Sequence, residues 1–374
     1  MNSFTRQENM KNKIQVAFLL SRILVDGGIT RVTAMLTQQF ANDERFHIHV
    51  ISYQPIQKGG YHWDSNLSYY ELVGEGVKMK RGIFKATSKL RKILTQQNIT
   101  TLISCGQEIG PLGALSTLGK STKFVYWSHS SFKGKTHSKF KILNELFTTT
   151  FADVIISLTK VDKINYKKGT LAKKVVQIYN PVDPTLLEQT HNYNPSLNKI
   201  ISVGRLSFQK NFLLLIDVAK KVIISNPNIQ WDIYGDGYQR DELKNKIHEY
   251  GLEQHVILKG HATNIYEIYK NYSLMVMTSR FEGFPMSLIE GLATKLPLIS
   301  FDIPTGPNEI IEEGVNGFLI EPENVDAMAY KIEELLSDQN KLNSFSKAAF
   351  KSSEAFSMKT IYDKWVSLFI SLAK

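Results

Sequence analysis

The sequence of 374 residues predicts an α/β protein of two domains, each built on a doubly wound parallel sheet. Short β-branched or aromatic runs alternate with amphipathic stretches along almost the whole chain, and this series restarts near residue 196. Most of the runs are apolar throughout, which is typical of parallel strands that are buried on both faces. The length also suits two domains of about 100–200 residues each.

Eleven apolar runs of strand length define the predicted sheets. The predicted strands are 14–20, 47–53, 101–105, 124–128 and 154–158 in the first half, and 200–203, 231–234, 256–258, 274–277, 296–301 and 318–320 in the second. Helical periodicity lies between them and is clearest over 212–224 and 325–336. The polar stretch around 179–198 is interpreted as a linker, so we predict a first domain over 1–182 and a second over 183–358.

The charge is distributed unevenly between the two halves. The chain has 45 Lys and Arg against 35 Asp and Glu, a net charge of +10. Residues 1–195 hold 26 of these cations and 13 anions, for +13, whereas residues 196–374 carry −3. The first half is therefore expected to meet an anionic partner: nucleic acid, an anionic membrane or an anionic substrate. The sequence has no recognised nucleic-acid-binding motif, which makes that partner the weaker choice.

Cysteine content and hydropathy narrow the class of protein further. Cys105 is the only cysteine, so an intrachain disulfide is excluded, and its apolar run predicts a buried thiol. The sequence contains no run of 18 apolar residues, and its polar first twelve residues lack a signal-peptide core. We therefore expect a cytoplasmic protein.

The first candidate site follows the predicted strand 200–203. Arg205 and Lys210 come after this strand, and the helix 212–224 begins directly afterwards. The unpaired N–H groups of a helix N-terminus attract anions, and a bidentate Arg beside a Lys suits a diphosphate. Two solvated surface cations are the alternative interpretation.

Two carboxylates follow the predicted strand 274–277. Glu282 lies in the loop before the next helix, and Glu290 lies about two turns into it, with the loop amides of 283–286 between them. An acidic first turn alone would be explained by the helix dipole. Glu290 is too far along the helix for that explanation, so it needs another partner, and ribose hydroxyls are suitable.

Two weaker candidates lie in the first half. Gly27 and Gly28 follow the first strand, where glycine allows a ligand to approach the backbone, although a plain turn is an equal alternative. His129 follows the strand 124–128, at the edge where open α/β sheets bind ligands. A lone histidine is nevertheless more often structural.

Together these motifs resemble the retaining family-4 glycosyltransferases. The similarity covers about 200–336 and is weak over 54–122. The matching elements are Gly204-Arg205, Lys210-Asn211, Gly235-Asp236-Gly237, Gly260-His261, Glu282-Gly283-Phe284-Pro285, Glu290-Gly291 and Gly306-Pro307. The resemblance implies the GT-B architecture, in which two Rossmann-like domains face each other across a cleft. It further implies an acceptor-binding first domain, a donor-binding second domain and a final helix over 359–374 that packs back on the first domain.

The resemblance also assigns roles by position. It implies that Arg205 and Lys210 bind the donor diphosphate, that Glu290 binds the ribose, and that Glu282 with the amides of the following loop holds the transferred sugar. The donor-binding residues would be Gly28, Arg205, Lys210, His261, Glu282, Gly283, Phe284, Pro285, Met286 and Glu290. Those of the transfer step would be Glu282, His129, Arg205 and Lys210. No metal or other cofactor is expected.

The activity expected from the resemblance is transfer of a hexose or N-acetylhexosamine, with retention, from a UDP-sugar to a saccharide in bacterial surface-polysaccharide synthesis. A lipid-linked acceptor would explain the basic first half, since the cationic stretch 78–94 predicts docking on the inner face of an anionic membrane. A solvated helix that packs on the sheet is the alternative for this stretch. For the whole protein, the alternatives are another GT-B enzyme such as a phosphorylase or epimerase, a basic nucleic-acid-binding protein, or a degenerate transferase that serves as a scaffold.

Overall fold

A computed structural model describes residues 13–24, 27–57, 60–61, 63–133, 139–188 and 192–373. The chain divides into two compact units. Unit 1 has the bounds Met1–Asn180 and Lys359–Lys374, and unit 2 has the bounds Pro181–Met358.

Unit 1 is built on a parallel sheet with the strand order β3-β2-β1-β4-β5-β6-β7. Its strands are β1 Ile14–Leu20, β2 Phe46–Ser52, β3 Ser68–Glu71, β4 Thr101–Cys105, β5 Lys123–Trp127, β6 Val154–Ser157 and β7 Val175–Gln177. Its helices up to residue 180 are α1 Gly28–Ala41, α2 Met79–Gln96, α3 Gly110–Thr117, α4 Lys139–Phe151 and α5 Lys160–Gly169. Cys105 is buried, as the sequence predicts, and burial raises the pKa of its thiol.

Unit 2 has a second parallel sheet, with the order β10-β9-β8-β11-β12-β13. Its strands are β8 Lys199–Val203, β9 Gln230–Tyr234, β10 Val256–Gly260, β11 Leu274–Met277, β12 Leu298–Phe301 and β13 Gly317–Ile320. Its helices are α6 Pro184–Glu188, α7 Phe212–Ser225, α8 Arg240–Glu249, α9 Ile265–Ile268, α10 Met286–Ala293, α11 Val325–Ser337 and α12 Gln339–Ser353.

The last helix, α13 (Met358–Ala373), packs within unit 1. The rings of Trp365 and Phe369 lie 6.0 and 6.3 Å from that of Phe18 on β1, measured between centroids. Tyr362 donates a hydrogen bond of 2.6 Å to Asp43, just after α1. Aromatic packing and one polar contact thus attach the C-terminal helix to the core of unit 1.

The predicted fold class is confirmed: both sheets are parallel and Rossmann-like, and all eleven predicted strands are present. The two strands that the sequence did not predict, β3 and β7, are the edge strands of the unit 1 sheet. β3 alternates half-buried and exposed residues, and β7 has only three residues. Neither one has the continuous apolar run by which buried parallel strands are recognised.

Both sheets have a point at which the strand order reverses. It lies between β1 and β4 in unit 1 and between β8 and β11 in unit 2. Open α/β sheets bind ligands at the carboxyl ends of the strands beside such a point. Gly28 follows β1 and therefore lies near the reversal point of unit 1.

The cationic stretch 78–94 forms most of α2, and its apolar side is not exposed. Ala86, Leu90 and Leu94 belong to the same buried cluster as Ala17 and Leu19 of β1. This side is therefore not available for insertion into a bilayer, and any docking on a membrane must use the opposite side of the helix. No helix among the described residues is both long and apolar enough to cross a membrane.

Candidate functional site

The reversal point of the unit 2 sheet brings together two of the predicted site residues. Lys210 follows β8 and Glu282 follows β11, and these strands are neighbours. The Nζ atom of Lys210 lies 2.7 Å from Oε1 of Glu282. Only 17% of the Lys210 side chain and 8% of the Glu282 side chain are exposed. The two residues form a largely buried ion pair at the edge where a ligand is expected.

Glu282 also has partners that the sequence did not suggest. Ser279 Oγ donates to its Oε1 at 2.8 Å, and Gln209 Nε2 donates to its Oε2 at 3.3 Å. Thr305 Oγ1 donates to the backbone carbonyl of Glu282 at 2.6 Å. Ser279 and Gln209 lie within three residues of predicted site residues, whereas Thr305 comes from a distant loop, beside the Gly306-Pro307 element, and no role was predicted for it. These contacts fix the orientation of the carboxylate.

Glycines shape the loop that carries Arg205 and Lys210. A Cβ atom on Gly235, whose φ is +135°, would lie 1.9 Å from the carbonyl oxygen of Gly204. A Cβ on Gly237 would lie 2.2 Å from the carbonyl oxygen of Leu206. The Gly-Asp-Gly sequence after β9 therefore allows the loops after β8 and β9 to touch.

Arg205 lies on the same loop as Lys210 but differs from it in exposure and pairing. Its side chain is exposed, and within the described ranges its guanidinium has no hydrogen bond or ion pair. Lys210, by contrast, is paired with Glu282. Arg205 therefore supplies an uncompensated positive charge beside the reversal point.

The loop before α10 is held by Gly306 and by aromatic packing. Gly306 has φ +105°, and a Cβ on it would lie 2.6 Å from Cδ of Pro285. The ring of Phe284 is buried, with its centroid 5.6 Å from that of Phe356. Throughout the described chain, the N–H groups of Gly283 and Met286 have no backbone or side-chain acceptor. These two amides are therefore available as donors to a ligand.

Glu290 is buried in the middle of α10, away from the half-buried first two residues of that helix. Tyr269, which is also buried, donates to its Oε2 at 2.7 Å. Sequence patterns gave no signal for Tyr269. The carboxylate that the resemblance assigns to the ribose therefore already has an internal partner, and ribose would have to share it.

His261 marks the end of β10. It is exposed and follows Gly260, which has φ +76° and whose carbonyl accepts a hydrogen bond of 2.8 Å from the Gly235 N–H. This bond ties the loop after β10 to the loop after β9. His261 thus lies at the same edge of the sheet as Lys210 and Glu282, two strands away from β8.

The two candidates of unit 1 differ in accessibility. Gly28 is exposed, and a Cβ on it would meet no atom within 4 Å, while Gly27 before it needs its positive φ of +139°. His129 is half-buried, its ring centroid lies 4.2 Å from that of Trp127, and its Nε2 has no partner among the described residues. Burial lowers the pKa of His129 to about 3, so the imidazole is neutral at physiological pH.

Chemically, the unit 2 site offers positive charge, backbone N–H donors and an oriented carboxylate at one edge of a sheet. Such a set binds a polyanion with attached hydroxyl groups. In the described part of the chain, no group of three or more His, Cys, Asp or Glu side chains is arranged to hold a metal ion.

Comparison with known proteins shows which proteins resemble the unit that carries this site. Residues 185–352 match the family model of the glycosyl transferases group 1. This segment, which covers most of unit 2, is thus similar to the glycosyl transferases group 1. The amylovoran biosynthesis glycosyltransferase AmsD of Erwinia amylovora is 27% identical over 360 residues, which cover 94% of this chain and 98% of that protein.

Two further proteins extend the comparison. The poly(ribitol-phosphate) alpha-N-acetylglucosaminyltransferase of Staphylococcus aureus is 36% identical over 170 residues, 45% of this chain and 34% of that enzyme. The crystal structure of Anabaena HepE in complex with UDP superposes with a TM-score of 0.79 at 19% identity, covering 96% of this chain and all of that one. The chain thus has the GT-B glycosyltransferase fold and bacterial glycosyltransferase relatives.

Proposed function

We propose that this glycosyltransferase moves a hexose or N-acetylhexosamine from a UDP-sugar to a saccharide acceptor with retention of configuration, and without a metal ion. The observation that carries this proposal is the Lys210–Glu282 pair at the reversal point of the unit 2 sheet, with the free charge of Arg205 beside it. The name of the S. aureus relative, which specifies an alpha linkage, and the UDP in the Anabaena structure support the choice of donor and outcome.

The charges explain how the leaving group would be stabilised. Breaking the glycosidic bond leaves negative charge on the nucleoside diphosphate, and preorganised cations lower the free energy of that state. Arg205 would bind the diphosphate bidentately, while Lys210 supplies a second charge that the pair with Glu282 already holds in place. Because these side chains supply the positive charge, we propose that no metal ion is needed.

Glu282 would have two tasks in this mechanism. Its carboxylate keeps Lys210 in position, and it presents an acceptor for the hydroxyls of the transferred sugar beside the free amides of Gly283 and Met286. The departing phosphate would take the proton of the acceptor hydroxyl on the same face. His129 is neutral, so we propose no general-acid role for it.

The acceptor belongs to the same proposal. We propose a lipid-linked saccharide of bacterial surface-polysaccharide synthesis, with the protein on the inner face of the membrane. The role of AmsD in amylovoran biosynthesis and the basic first half of the chain support it. Exposed cations favour anionic membrane surfaces.

A donor panel tests the proposal directly. The full chain is mixed with UDP, GDP, ADP and TDP, and the melting temperature is expected to rise with UDP because a ligand that binds only the folded state stabilises it. UDP-hexoses are then assayed for transfer or slow hydrolysis in excess EDTA, and the anomeric configuration of the product is read by NMR. An inverted product would refute retention, and loss of activity in EDTA would refute metal independence.

Two variants test the assigned roles. Lys210→Ala is expected to weaken both UDP binding and turnover, whereas Glu282→Gln is expected to lower turnover more than UDP affinity. Lys246→Ala is the matched control, because Lys246 pairs with Asp217 at 2.7 Å in the same unit but outside the site. Kinetics near those of the wild type for both site variants would refute the assignment.

A further inference from the structure

Helix α4 buries its polar side and exposes its apolar side, the reverse of an ordinary surface helix. Its buried positions are Glu145, Thr148 and Thr149. Its exposed positions include Phe140, Ile142, Leu143 and Leu146, with 56%, 45%, 63% and 39% of each residue accessible. A surface helix normally buries its apolar stripe and exposes its polar one. The apolar side of α4 therefore requires another explanation.

The polar side is held inside unit 1 by specific contacts. Tyr126 of β5 donates to the Glu145 carboxylate at 3.1 Å, and Tyr166 of α5 also donates to it. A Cβ on Gly110 would lie 2.6 Å from the side chain of Thr148, so α3 and α4 are in close contact. Turning the helix to bury Leu143 would break these contacts. The Glu145 carboxylate would then need new hydrogen-bond donors. The rotation of α4 is therefore fixed, and its apolar side stays outside.

Positive charge lies next to this apolar stripe. The Lys80 ammonium of α2 lies 5.4 Å from the ring centroid of Phe140, which joins the exposed sides of the two helices. The exposed side of α2 also has Phe84, which is 83% accessible and lies among cations. The six cations of α2, as we call them, are Lys78, which directly precedes the helix, and Lys80, Arg81, Lys85, Lys89 and Lys92 within it. The sequence contains no Asp or Glu from 76 to 107.

The position of these cations is itself unfavourable for the helix. Lys78, Lys80 and Arg81 lie at the N-terminus of α2, whose first turn has no acidic residue. Positive charge at this end opposes the helix dipole and costs free energy in the isolated protein. Among the described residues these three side chains have no carboxylate partner, so an external anion is the partner that would offset the cost.

We propose that Phe140, Ile142, Leu143 and Leu146 of α4, together with Phe84 and the six cations of α2, form one face that docks on an anionic lipid bilayer. The apolar side chains enter the headgroup region while the lysines contact lipid phosphates. In a twofold dimer formed through this face, the six cations of one copy would face those of the other, and their repulsion disfavours such a dimer. This proposal deepens the lipid-linked acceptor of the proposed function, because it names the elements that hold the protein at the membrane.

The experiment measures membrane binding without any donor or acceptor. Full-length protein is centrifuged with vesicles of phosphatidylcholine alone or with 30% phosphatidylglycerol, at 50 mM and 500 mM NaCl. Binding is expected only to the anionic vesicles and to fall by at least about tenfold at high salt, because screening removes the contribution of the cations. The double variant Phe140→Ser/Leu143→Ser is expected to reduce binding about tenfold or more, since two inserted side chains are lost.

Matched variants separate this face from exposed apolar surface in general. Leu171→Ser removes an apolar residue that is 81% accessible in the same unit, and it is expected to leave vesicle binding unchanged. Lys85→Gln/Lys89→Gln tests the charge without touching α4, and it is expected to weaken binding while circular dichroism stays the same. The proposal is overturned if the wild type fails to bind anionic vesicles at low salt, or if Phe140→Ser/Leu143→Ser binds as the wild type does. It is also overturned if that variant dissociates a dimer seen by light scattering.

Failure of this proposal is distinguishable from failure of the proposed function. UDP-dependent thermal stabilisation depends on unit 2 and is expected to be the same in Phe140→Ser/Leu143→Ser and the wild type. If the protein binds UDP but no vesicles, the proposed donor is supported and the membrane face is refuted. If it binds vesicles but no nucleotide, the membrane face is supported and the proposed donor is refuted.

Discussion

Removing the ammonium of Lys210 should destabilise unit 2 through the charge that it leaves behind. The Lys210 Nζ and Glu282 Oε1 atoms are 2.7 Å apart, and Glu282 is the more buried partner. In Lys210→Met the carboxylate keeps the donors Ser279 and Gln209 but loses the one cation that pairs with it among the described residues. Removing one partner of a fully buried pair costs about 3–5 kcal/mol, and we expect about 2 kcal/mol here because two donors remain and the site is partly open.

The reverse substitution should cost less. In Glu282→Gln the unpaired Lys210 has a long flexible side chain, twice as exposed as that of its partner, that can turn toward solvent. We expect a loss of about 1 kcal/mol for this variant. The double variant Lys210→Met/Glu282→Gln should lie within about 1 kcal/mol of the wild type, because neither charge is left unpaired.

Native-state hydrogen exchange is the suitable assay because the chain has two units. Peptides from β8, β11 and α10 report the opening free energy of unit 2, and peptides from β1 and β4 serve as an internal control. Lys246→Met, which removes the partner of Asp217, controls for loss of any lysine pair in unit 2. Additive costs in the double variant would refute the reasoning, and so would a cost below about 0.5 kcal/mol for Lys210→Met.

Three further predictions concern the core, a loop contact and a buried carboxylate. His49 is buried, and this burial together with the nearby His47 lowers its pKa to about 3. In the unfolded chain the same residue takes up a proton below about pH 6.5, so the free energy of unfolding should fall as the pH drops toward 3. In urea unfolding, the decrease in the free energy of unfolding from pH 7 to pH 5 should therefore be about 2 kcal/mol smaller in His49→Gln than in the wild type. An equal decrease in both proteins would contradict the argument. Gly235→Ala would place a Cβ 1.9 Å from the Gly204 carbonyl oxygen and should lower the melting temperature by about 10 °C or more, whereas Gly74→Ala, with no atom within 4 Å, should change it little. Tyr269→Phe removes the 2.7 Å hydrogen bond to Glu290 and should cost about 2 kcal/mol and weaken UDP binding. The control Tyr250→Phe loses a similar bond to Asp217 and should leave UDP affinity unchanged in calorimetry. An equal loss of UDP affinity in both variants would show that the Tyr269 bond to Glu290 has no specific role in binding the nucleotide.

The sequence predicted most where burial leaves a continuous pattern. Buried parallel strands need apolar residues on both faces, so eleven strands could be located, whereas the edge strands β3 and β7 lack that requirement and were missed. The positions of Lys210 and Glu282 follow from the same logic, because each comes directly after a central strand. The carboxyl ends of neighbouring parallel strands meet at one edge.

Side-chain partners from distant segments could not be predicted in the same way. Thr305 and Tyr269 reach Glu282 and Glu290 from loops and short helices whose sequences carry no periodicity. The stretch 78–94 shows a second limit of pattern reasoning. Periodicity correctly separates its apolar and cationic sides, but it does not say which of them meets the core, and the apolar side is buried against β1. The inverse arrangement in α4 depends on Tyr126 and Tyr166, which lie 19 and 21 residues from Glu145.

The two units use positive charge in physically different ways, and this difference has a measurable consequence. In unit 2, Lys210 is held by Glu282 in a partly buried site, so its charge acts over a few ångströms and is weakly screened by salt. In unit 1, the six cations of α2 are exposed, and their attraction to an anionic surface decays over a Debye length of about 8–10 Å. Nucleotide binding should therefore survive an increase in salt that abolishes vesicle binding. A similar salt dependence for both would mean that the UDP site relies on the exposed Arg205 alone, and that the buried pair serves stability and not the donor.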